Sequence, residues 1–250
     1  MSAPYYQDEH ATLYHGDALP ALAAMADRSV DCVITDPPFD ARTHDNTRSN
    51  RNGYGTSGNG NGNRTLSGGS DVRFDAFTHE NQLALFAELG RIARRWVVAN
   101  LSTHTAFRFE VGPPPAGLQV LRVGAWVKTN PMPIISADRP AMGWEAIAYM
   151  HREDAKPSWN GGGRAGNYVL PTSQGSGHPT QKPIEMVRDW VRRFTNPGDV
   201  ILDPFAGTGT TLRAALDEGR KVIAYEIDER WCEHAAGRLS QGVLDLGGIA

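Results

Sequence analysis

The chain has 250 residues, with 28 acidic and 25 basic side chains and a net charge of −3 when histidine is neutral. This length fits one domain with insertions, and a hydrophobic content of 40% supports a sizeable core. The near-neutral balance excludes a basic field over the whole surface, so any nucleic-acid contact must come from local patches. The first residues, MSAPYYQDEH, lack the features of a signal peptide, and no apolar run reaches the roughly 20 residues that span a bilayer.

Cysteine and histidine usage bears on metal binding and on the redox compartment. Cys32 lies in a strand-like segment and Cys232 in a helix-like one, and both are expected to be reduced core thiols. The eight histidines show no paired ligand spacing, and two cysteines cannot build a common zinc site. We therefore expect a cytoplasmic protein without a metal.

The amino-terminal part of the chain predicts two strands with a helix between them. Residues 11–16 (ATLYHG) are typical of a short strand, and Asp17 suits the cap of the helix that follows. Residues 30–35 (VDCVIT) form a mostly apolar run that predicts a second, buried strand.

An acid, two prolines and an aromatic residue follow the second strand directly: Asp36, Pro37, Pro38 and Phe39. Prolines cannot extend a ladder or a helix, and their fixed backbone sets the direction of the neighbouring carbonyls. At the carboxyl end of a strand, such a group can hold a flat ring, with acceptors on its exocyclic amine and the aromatic on its face. The pattern favours chemistry on the amine of a nucleobase, and a strand followed by a Pro-Pro turn is the alternative.

The next segment, residues 40–74, breaks the periodic pattern. It is rich in Gly, Asn, Ser and Arg, with fragments such as GYGTSGNGNGN. This composition cannot bury a core and predicts a flexible insert.

The middle of the chain predicts one helix and three strands. Apolar spacing indicates a helix over 79–95 and a strand over 96–101. Further strands are predicted over 119–128 and 145–151, with an irregular Pro-rich connection between them. Residues 151–181 are predicted to form a loop.

Regular alternation returns in the last third of the chain. Helices are predicted over 183–194, 208–217 and 228–239, and strands over 200–203 and 221–226. Strands alternating with helices predict a parallel or mainly parallel sheet with helices on both faces.

The segment DPFAGTGTT, from Asp203 to Thr211, joins a predicted strand to a predicted helix. Gly207 and Gly209 allow tight turning and a close approach of the backbone to a ligand, and the amides at the helix start favour an anionic group. The next strand ends in Glu226, 23 positions after Asp203, where an acid suits the hydroxyls of a ribose. The third glycine of a dinucleotide site and the lysine of a phosphate loop are missing, so S-adenosylmethionine fits better than NAD.

Three segments in this order resemble the amino-methyltransferases that modify exocyclic amines in DNA: DPPF at 36–39, HPTQKP at 178–183 and DPFAGTGTT at 203–211. Their order resembles that of the circularly permuted beta group of the family. The resemblance covers most of the chain, apart from the insert and much of 131–177. It implies a single Rossmann-like methyltransferase domain, an α/β fold with a mostly parallel seven-stranded sheet and helices on both faces.

The resemblance also implies roles for individual residues. The catalytic motif is Asp36-Pro37-Pro38-Phe39, in which Phe39 stands where the family more often has tyrosine, so stacking is kept and a hydroxyl is lost. The implied cofactor-binding residues are Asp17, Thr180, Lys182, Asp203, Phe205, Gly207, Gly209 and Glu226. Glu226 corresponds to the ribose acid, Thr180 and Lys182 to contacts with the methionine end, and Asp17 to a contact with the adenine of the cofactor. A helix cap is an equally good interpretation of Asp17.

The implied activity is methyl transfer from S-adenosylmethionine to the N6 amine of a flipped-out adenine in double-stranded DNA, as in bacterial or phage restriction–modification. An aspartate at the start of the motif favours adenine, because many cytosine N4 enzymes carry serine there. Cytosine N4 methylation, RNA as substrate and an inactive DNA-binding protein of the same fold stay open. Cytosine C5 chemistry is excluded, since its nucleophilic cysteine typically follows proline and neither Cys32 nor Cys232 does.

DNA contacts are expected outside the three motifs. The 40–74 insert carries five arginines and three aspartates, a local charge of +2, and it follows the catalytic motif directly. We expect it to contact DNA, and a solvated insert without a role is the alternative. The loop-rich region 131–177 is expected to contribute to target recognition, and family resemblance leaves a homodimer open.

Overall fold

The computed structural model describes residues 3–39, 78–133, 139–173 and 181–240. The strands in these ranges are β1 (Tyr6–Gln7), β2 (Ala11–His15), β3 (Val30–Thr35), β4 (Ala93–Leu101), β5 (Leu118–Lys128), β6 (Trp144–Arg152), β7 (Tyr168–Leu170), β8 (Val200–Asp203) and β9 (Lys221–Glu226). The helices are α1 (Ala18–Ala24), α2 (His79–Ile92), α3 (Thr103–Val111), α4 (Ile184–Phe194), α5 (Thr210–Asp217) and α6 (Glu229–Ser240).

All of these strands form one sheet, in the order β1-β2-β9-β8-β3-β4-β6-β5-β7. Neighbours from β2 to β4 pair in parallel, whereas β6 runs antiparallel to β4 and β5. The edge strands β1 and β7 contain only two and three residues. The expected mostly parallel sheet is confirmed, and these two short edge strands extend the expected seven strands to nine.

Helices cover both faces of the sheet, as predicted. One core contains buried residues of α4, α5 and α6, including Trp190, Leu212 and Cys232. The other contains buried residues of α1, α2 and α3, including Leu22 and Phe86. Apolar side chains thus lie on both sides of the central strands, which explains why those strands read as continuous hydrophobic runs. The free thiols Cys32 and Cys232 are both buried, as expected.

Several predicted boundaries need correction. The helix predicted over 79–95 ends at residue 92, and β4 begins directly at 93, because pairing with β3 starts there. Residues 103–111, where no element was predicted, form α3, which is capped by the Ser102 hydroxyl accepting from the Thr105 amide at 3.1 Å. The stretch predicted as loop over 151–181 contains β7, which lengthens the sheet beyond β5.

Helix α4 packs on one face of the sheet and runs from the carboxyl ends of the parallel strands towards the opposite edge. Its buried positions, Met186, Val187, Trp190, Val191 and Phe194, follow the helical period. The helix begins just after Lys182 and ends at an aromatic cluster, where the Phe194 ring lies 4.9, 5.4 and 5.7 Å from the rings of Trp96, Tyr149 and Trp159. Among the described residues, no helix is long and apolar enough to cross a membrane.

Candidate functional site

The predicted site residues meet at the carboxyl edge of the parallel strands. Asp17 follows β2, Glu226 ends β9, Asp203 ends β8 and Asp36 follows β3. These four strands are consecutive neighbours in the sheet, so their carboxyl ends lie side by side. Open α/β sheets bind ligands in the crevice at this edge.

The catalytic and cofactor motifs line one cleft. Asp36 and residues 205–208 of the glycine loop are both among the residues that line it. Lys182, Val187 and Trp190, from α4 and the segment before it, also line the cleft. The two motifs are far apart in sequence and share a cavity, as the resemblance requires.

Four polar side chains form a row at this edge, on the face of the sheet that α4 covers. The row, called the polar row below, consists of Asp36, Asn100, Glu145 and Lys128, which follow or belong to the neighbouring strands β3, β4, β6 and β5. The residues two positions away on each strand, which point to the same face, all belong to the core beneath α4; they are Ile34, Val98, Ile147 and Trp126. The polar row therefore continues the apolar core to the edge of the cleft.

Lys182 binds two acids of the polar row. Its Nζ lies 2.5 Å from Oδ2 of Asp36 and 3.4 Å from Oε2 of Glu145, and Lys128 Nζ lies 2.8 Å from Oε1 of Glu145. The side chain of Lys182 is only 7% exposed, so these are partly desolvated ion pairs. Two ammonium groups face two carboxylates, and the cluster is balanced in charge.

The pKa values in this cluster follow from burial and from the neighbouring charges. Burial raises the pKa of Asp36 above its usual value, and the ammonium of Lys182 opposes that rise. Burial also tends to raise the pKa of Glu145, but Lys182 and Lys128 outweigh it and lower that pKa. Burial tends to lower the pKa of Lys182, but the two carboxylates raise it. Lys182 is therefore held charged, and the pKa values of the two acids that it binds are shifted in opposite directions.

Asp203 is a buried acid between the two motifs. Its Oδ1 accepts from the Thr35 hydroxyl at 3.0 Å and from the Phe205 amide at 3.1 Å. Burial raises its pKa to about 6. These bonds join the end of β3, immediately before Asp36, to the start of the glycine loop.

Glu226 organises the glycine loop from the next strand. Its Oε2 accepts from the Gly207 amide at 2.7 Å, and its Oε1 accepts from the Asp228 amide at 2.9 Å. Its backbone carbonyl accepts from the Gly16 amide at 2.8 Å. Glu226 thus links the loop after β8 to the ends of β9 and β2.

Two glycines of the loop have left-handed backbone conformations, with φ of +51° at Gly207 and +78° at Gly209. A Cβ at Gly209 would lie 2.8 Å from the Cβ of Ala235 in α6, so this position also requires a small residue for packing. A Cβ at Gly207 would meet nothing within 4 Å, because that position borders the open cleft. The two glycines therefore serve different purposes.

The remaining predicted residues divide into three cases. Asp17 caps α1, with Oδ1 accepting from the Leu19 amide at 3.0 Å, and its contact with a cofactor stays a prediction. Phe39 is half-buried, with its ring centroid 5.8 Å from Lys182 Nζ. Thr180 lies outside the described residues, as does the insert.

Two further residues belong to the site and were not predicted to do so: Glu145 and Asn100. Glu145 lies in a predicted strand, and an acid directly before the apolar run AIAYM is the signal that could have identified it. Asn100 interrupts the apolar run VVANL of β4, and it is fully buried in the cleft wall. Both are polar residues near the ends of otherwise apolar strands.

Comparison with known proteins agrees with this geometry. Residues 153–237 match the N6/N4 methyltransferase family model, described as DNA methylase. The chain is 27% identical over 271 residues to the type II methyltransferase M2.LlaDCHI of Lactococcus lactis subsp. cremoris, covering 97% of this chain and 94% of that protein.

Solved structures share the fold. The M1.HpyAVI–SAM complex superposes with a TM-score of 0.63 at 23% identity, covering 92% of this chain and 98% of the other. The PvuII DNA methyltransferase, described as cytosine-N4-specific, superposes with a TM-score of 0.68 at 16% identity, covering 98% and 90%. The Rossmann-like methyltransferase fold expected from the sequence is confirmed.

Proposed function

We propose that this amino-methyltransferase of the N6/N4 type transfers a methyl group from S-adenosylmethionine to the exocyclic N6 amine of adenine in DNA. The observation that carries the proposal is the shared cleft, which both Asp36 and residues 205–208 of the glycine loop line. A methyl donor held by the loop and an amine held by Asp36 would meet there.

The residues of the loop fit S-adenosylmethionine. Gly207 borders the cleft with no side chain, and Glu226 at the end of β9 is the proposed ribose acid. Asp203, Phe205 and Gly209 shape the loop, and Asp17 and Thr180 complete the proposed set. When bound, S-adenosylmethionine supplies a methyl group activated by its sulfonium.

Asp36 prepares the amine for attack. The lone pair of an adenine N6 is delocalised into the ring and is poorly nucleophilic. Asp36 and the backbone carbonyl that follows it accept the two amine hydrogens, which draws the nitrogen towards a pyramidal form with a usable lone pair. Positioning and preorganised acceptors supply most of the rate, and no covalent enzyme intermediate is needed.

Lys182 binds one of the two carboxylate oxygens of Asp36, with Nζ 2.5 Å from Oδ2. The carboxylate keeps further lone pairs for an amine hydrogen, so the ammonium can orient it without blocking it. Glu145 Oε2, at 3.4 Å from the same Nζ, is an acceptor towards which Lys182 can turn. The resemblance assigns Lys182 to the methionine end of the cofactor, so the bound cofactor would offer its ammonium another partner within the cleft.

The target base must leave the duplex to reach this cleft, at a cost of a few kcal/mol. Phe39 offsets part of that cost, because stacking of a base on an aromatic ring is worth about 1–3 kcal/mol. The half-buried ring of Phe39 lies close to Lys182 and Asp36, at the place where an extruded base would stack.

Adenine is proposed over cytosine because the resemblance places an aspartate, Asp36, at the start of the motif. Cytosine N4 is the second candidate, since its amine has the same chemistry and a structure with this fold is described as cytosine-N4-specific. Methylation of an unmodified genomic DNA, read by single-molecule sequencing, tests both by reporting base and sequence context. N6-methyladenine is expected, and N4-methylcytosine alone would overturn the adenine assignment.

A labelled-methyl assay distinguishes this enzyme from an inactive DNA-binding protein of the same fold. Transfer of a labelled methyl group to duplex DNA by the wild-type chain, and not by Asp36→Ala, supports the enzyme. Calorimetry with S-adenosylmethionine and with NAD separates a methyltransferase from a nicotinamide-dependent enzyme, and only the first ligand is expected to bind.

Residues 40–74 are proposed to contact DNA, because they follow the catalytic motif directly and carry a net charge of +2. Deletion of the segment is expected to weaken DNA binding and to leave the affinity for S-adenosylmethionine unchanged. Unchanged DNA affinity would leave the segment without this role.

A further inference from the structure

Asn100 is a fully buried polar residue within the polar row. In the parallel pairing of β3 with β4, Thr35 lies opposite Ala99, so the next residues in the same register are Asp36 and Asn100. Both side chains line the cleft. On its other side Asn100 pairs with Ile147 of β6, two residues beyond Glu145.

The amide of Asn100 has no hydrogen-bond partner among the described residues. Its side chain is 0% exposed, and neither Oδ1 nor Nδ2 is paired. A buried amide left without partners costs about 1–3 kcal/mol, and nearly all buried polar groups in proteins are paired. The cleft that Asn100 lines has apolar side chains, including Ile34 and Val187, and polar ones such as Asp36, but none of these described residues pairs with the Asn100 amide. A group that enters the cleft can therefore supply the missing partner.

The position of Asn100 in the sheet points to the substrate and not to the cofactor. The proposed cofactor residues Asp17, Glu226 and Asp203 lie at the ends of β2, β9 and β8, on one side of β3. Asn100 lies on β4, on the other side of β3. Asp36 is therefore between the cofactor strands and Asn100. This order suits an amine that is held by Asp36, with the methyl donor on one side and a residue that recognises the base on the other.

We propose that Asn100 is a specificity-determining residue, whose Nδ2–H donates to the ring nitrogen next to the target amine. The proposal rests on the proposed function. In adenine the atom is N1 and in cytosine it is N3, and both are acceptors beside an exocyclic amine. Guanine and thymine carry an N–H at this position. With the neighbouring amine held by Asp36, the Asn100 N–H can bind the ring nitrogen of adenine or cytosine. It would face the ring N–H of guanine or thymine, so those bases are rejected.

The test is a chemical double-mutant cycle. Wild type and Asn100→Leu, which keeps a similar volume, are assayed on duplexes containing the mapped site with either adenine or 1-deazaadenine at the target position. Replacement of N1 by C–H is expected to lower wild-type kcat/KM about tenfold beyond its effect on the variant, since one hydrogen bond is lost. Because both enzymes act on the same two duplexes, any effect of the analogue on base pairing cancels in the ratio. If the mapped base is cytosine, 3-deazacytosine replaces the purine analogue.

A second readout separates recognition from a structural role. Asn100→Leu is expected to melt at or above the wild-type temperature, because no bond is lost and a buried unpaired amide is removed. Its affinity for S-adenosylmethionine is expected to be unchanged. Gln82→Leu is the matched control: this buried amide accepts from the Thr105 hydroxyl at 3.2 Å on the opposite face, so its loss should lower the melting temperature and leave the analogue ratio unchanged.

The outcomes are distinct. Equal sensitivity of wild type and Asn100→Leu to the analogue would overturn the assignment of Asn100 and leave the proposed function intact. Loss of affinity for S-adenosylmethionine in Asn100→Leu would assign the amide to the cofactor, and thereby also refute the proposal. Failure of the wild-type chain to methylate any DNA would sink the proposed function, and the inference with it. Should Asn100→Leu fail to fold, Asn100→Asp, which lacks the donor, takes its place in the same cycle.

Discussion

The Nζ atom of Lys182 lies 2.5 Å from Oδ2 of Asp36, although 146 positions separate the two residues in the chain. The lysine of one predicted motif therefore binds the carboxylate of another. In the proposed mechanism Lys182 would orient the Asp36 carboxylate, which keeps further lone pairs to accept an amine hydrogen.

Replacement of Asp36 tests the catalytic assignment. Asp36→Ala is expected to lower methyl transfer by at least about 100-fold, because it removes a preorganised acceptor from the reacting amine. Labelled-methyl transfer measures the rate, and calorimetry should find affinity for S-adenosylmethionine close to wild type. Near-normal turnover by the variant would show that the mechanism is wrong.

Replacement of Lys182 tests the electrostatic balance of the cluster. Lys182→Met leaves Asp36 and Glu145 facing each other without their shared cation, and removal of one partner of a buried ion pair costs about 3–5 kcal/mol. The folded-state pKa of Asp36 should rise further above that of the unfolded chain, whereas Glu145 keeps its contact with Lys128, so the loss should be small at low pH and grow as pH rises. Urea unfolding at about pH 4 and pH 7 measures it, and a pH-independent loss would indicate packing alone.

Asp203 should make stability depend on pH in a defined window. Its pKa rises from 3.8 to about 6 on burial, so between these values the folded protein holds a proton that the unfolded chain has released. Stability should therefore fall as pH rises through this window, by on the order of 3 kcal/mol from this group.

The neutral variant Asp203→Asn should remove that dependence, because its Oδ1 can still accept from Thr35 and Phe205. We expect it to be more stable than wild type at pH 7 and similar below pH 4, in urea unfolding across the range. Its affinity for S-adenosylmethionine should fall, since an acid near a cationic ligand has been neutralised. A pH profile parallel to that of wild type would contradict the role given to this carboxyl.

The two loop glycines should differ in their tolerance of alanine. Both substitutions place a side chain at positive φ, which costs about 1–2 kcal/mol. Gly209→Ala also brings a Cβ within 2.8 Å of Ala235, whereas Gly207→Ala meets open space. Gly209→Ala should therefore lose more stability in denaturant unfolding, while Gly207→Ala should lose affinity for S-adenosylmethionine because it narrows the cleft. The reverse order of stabilities would rule out this interpretation.

Glu226 should control cofactor affinity through the loop as well as directly. Both of its oxygens accept from backbone amides, and glutamine offers only one acceptor and turns an N–H towards the other amide. Glu226→Gln is therefore expected to weaken S-adenosylmethionine binding at least tenfold, from the loss of one or more hydrogen bonds. The matched control is Glu218→Gln, since Glu218 pairs with Arg192 outside the cleft, and it should bind the cofactor as wild type does.

Sequence reasoning predicted most of the elements around the cleft because their signals were local. β3, β8 and β9 have the predicted bounds, since each is an apolar run ended by a polar residue. The pairing of Lys182 with Asp36 and Glu145 could not be read in this way, because it depends on how the chain crosses from β3 to the start of α4. Asn100 was missed for a related reason: one amide in a buried strand is recognised as unusual only when its lack of partners is known.

Other predictions remain as they were. Thr180 and the insert lie outside the described residues, so their roles are still to be tested. The same holds for the contact of Asp17 with adenine, for a homodimer and for a cytoplasmic location.

Helix α4 connects the cleft to an aromatic cluster at its far end, so substitutions in that cluster should affect the cleft. Its first turn follows Lys182, and its last residue, Phe194, is fixed among Trp96, Tyr149 and Trp159 at the opposite end. A helix of 11 residues moves as one body, so an altered aromatic contact at its far end should shift the ammonium relative to Asp36. Phe194→Leu is therefore a remote substitution that should change turnover, even though Phe194 is not among the residues that line the cleft.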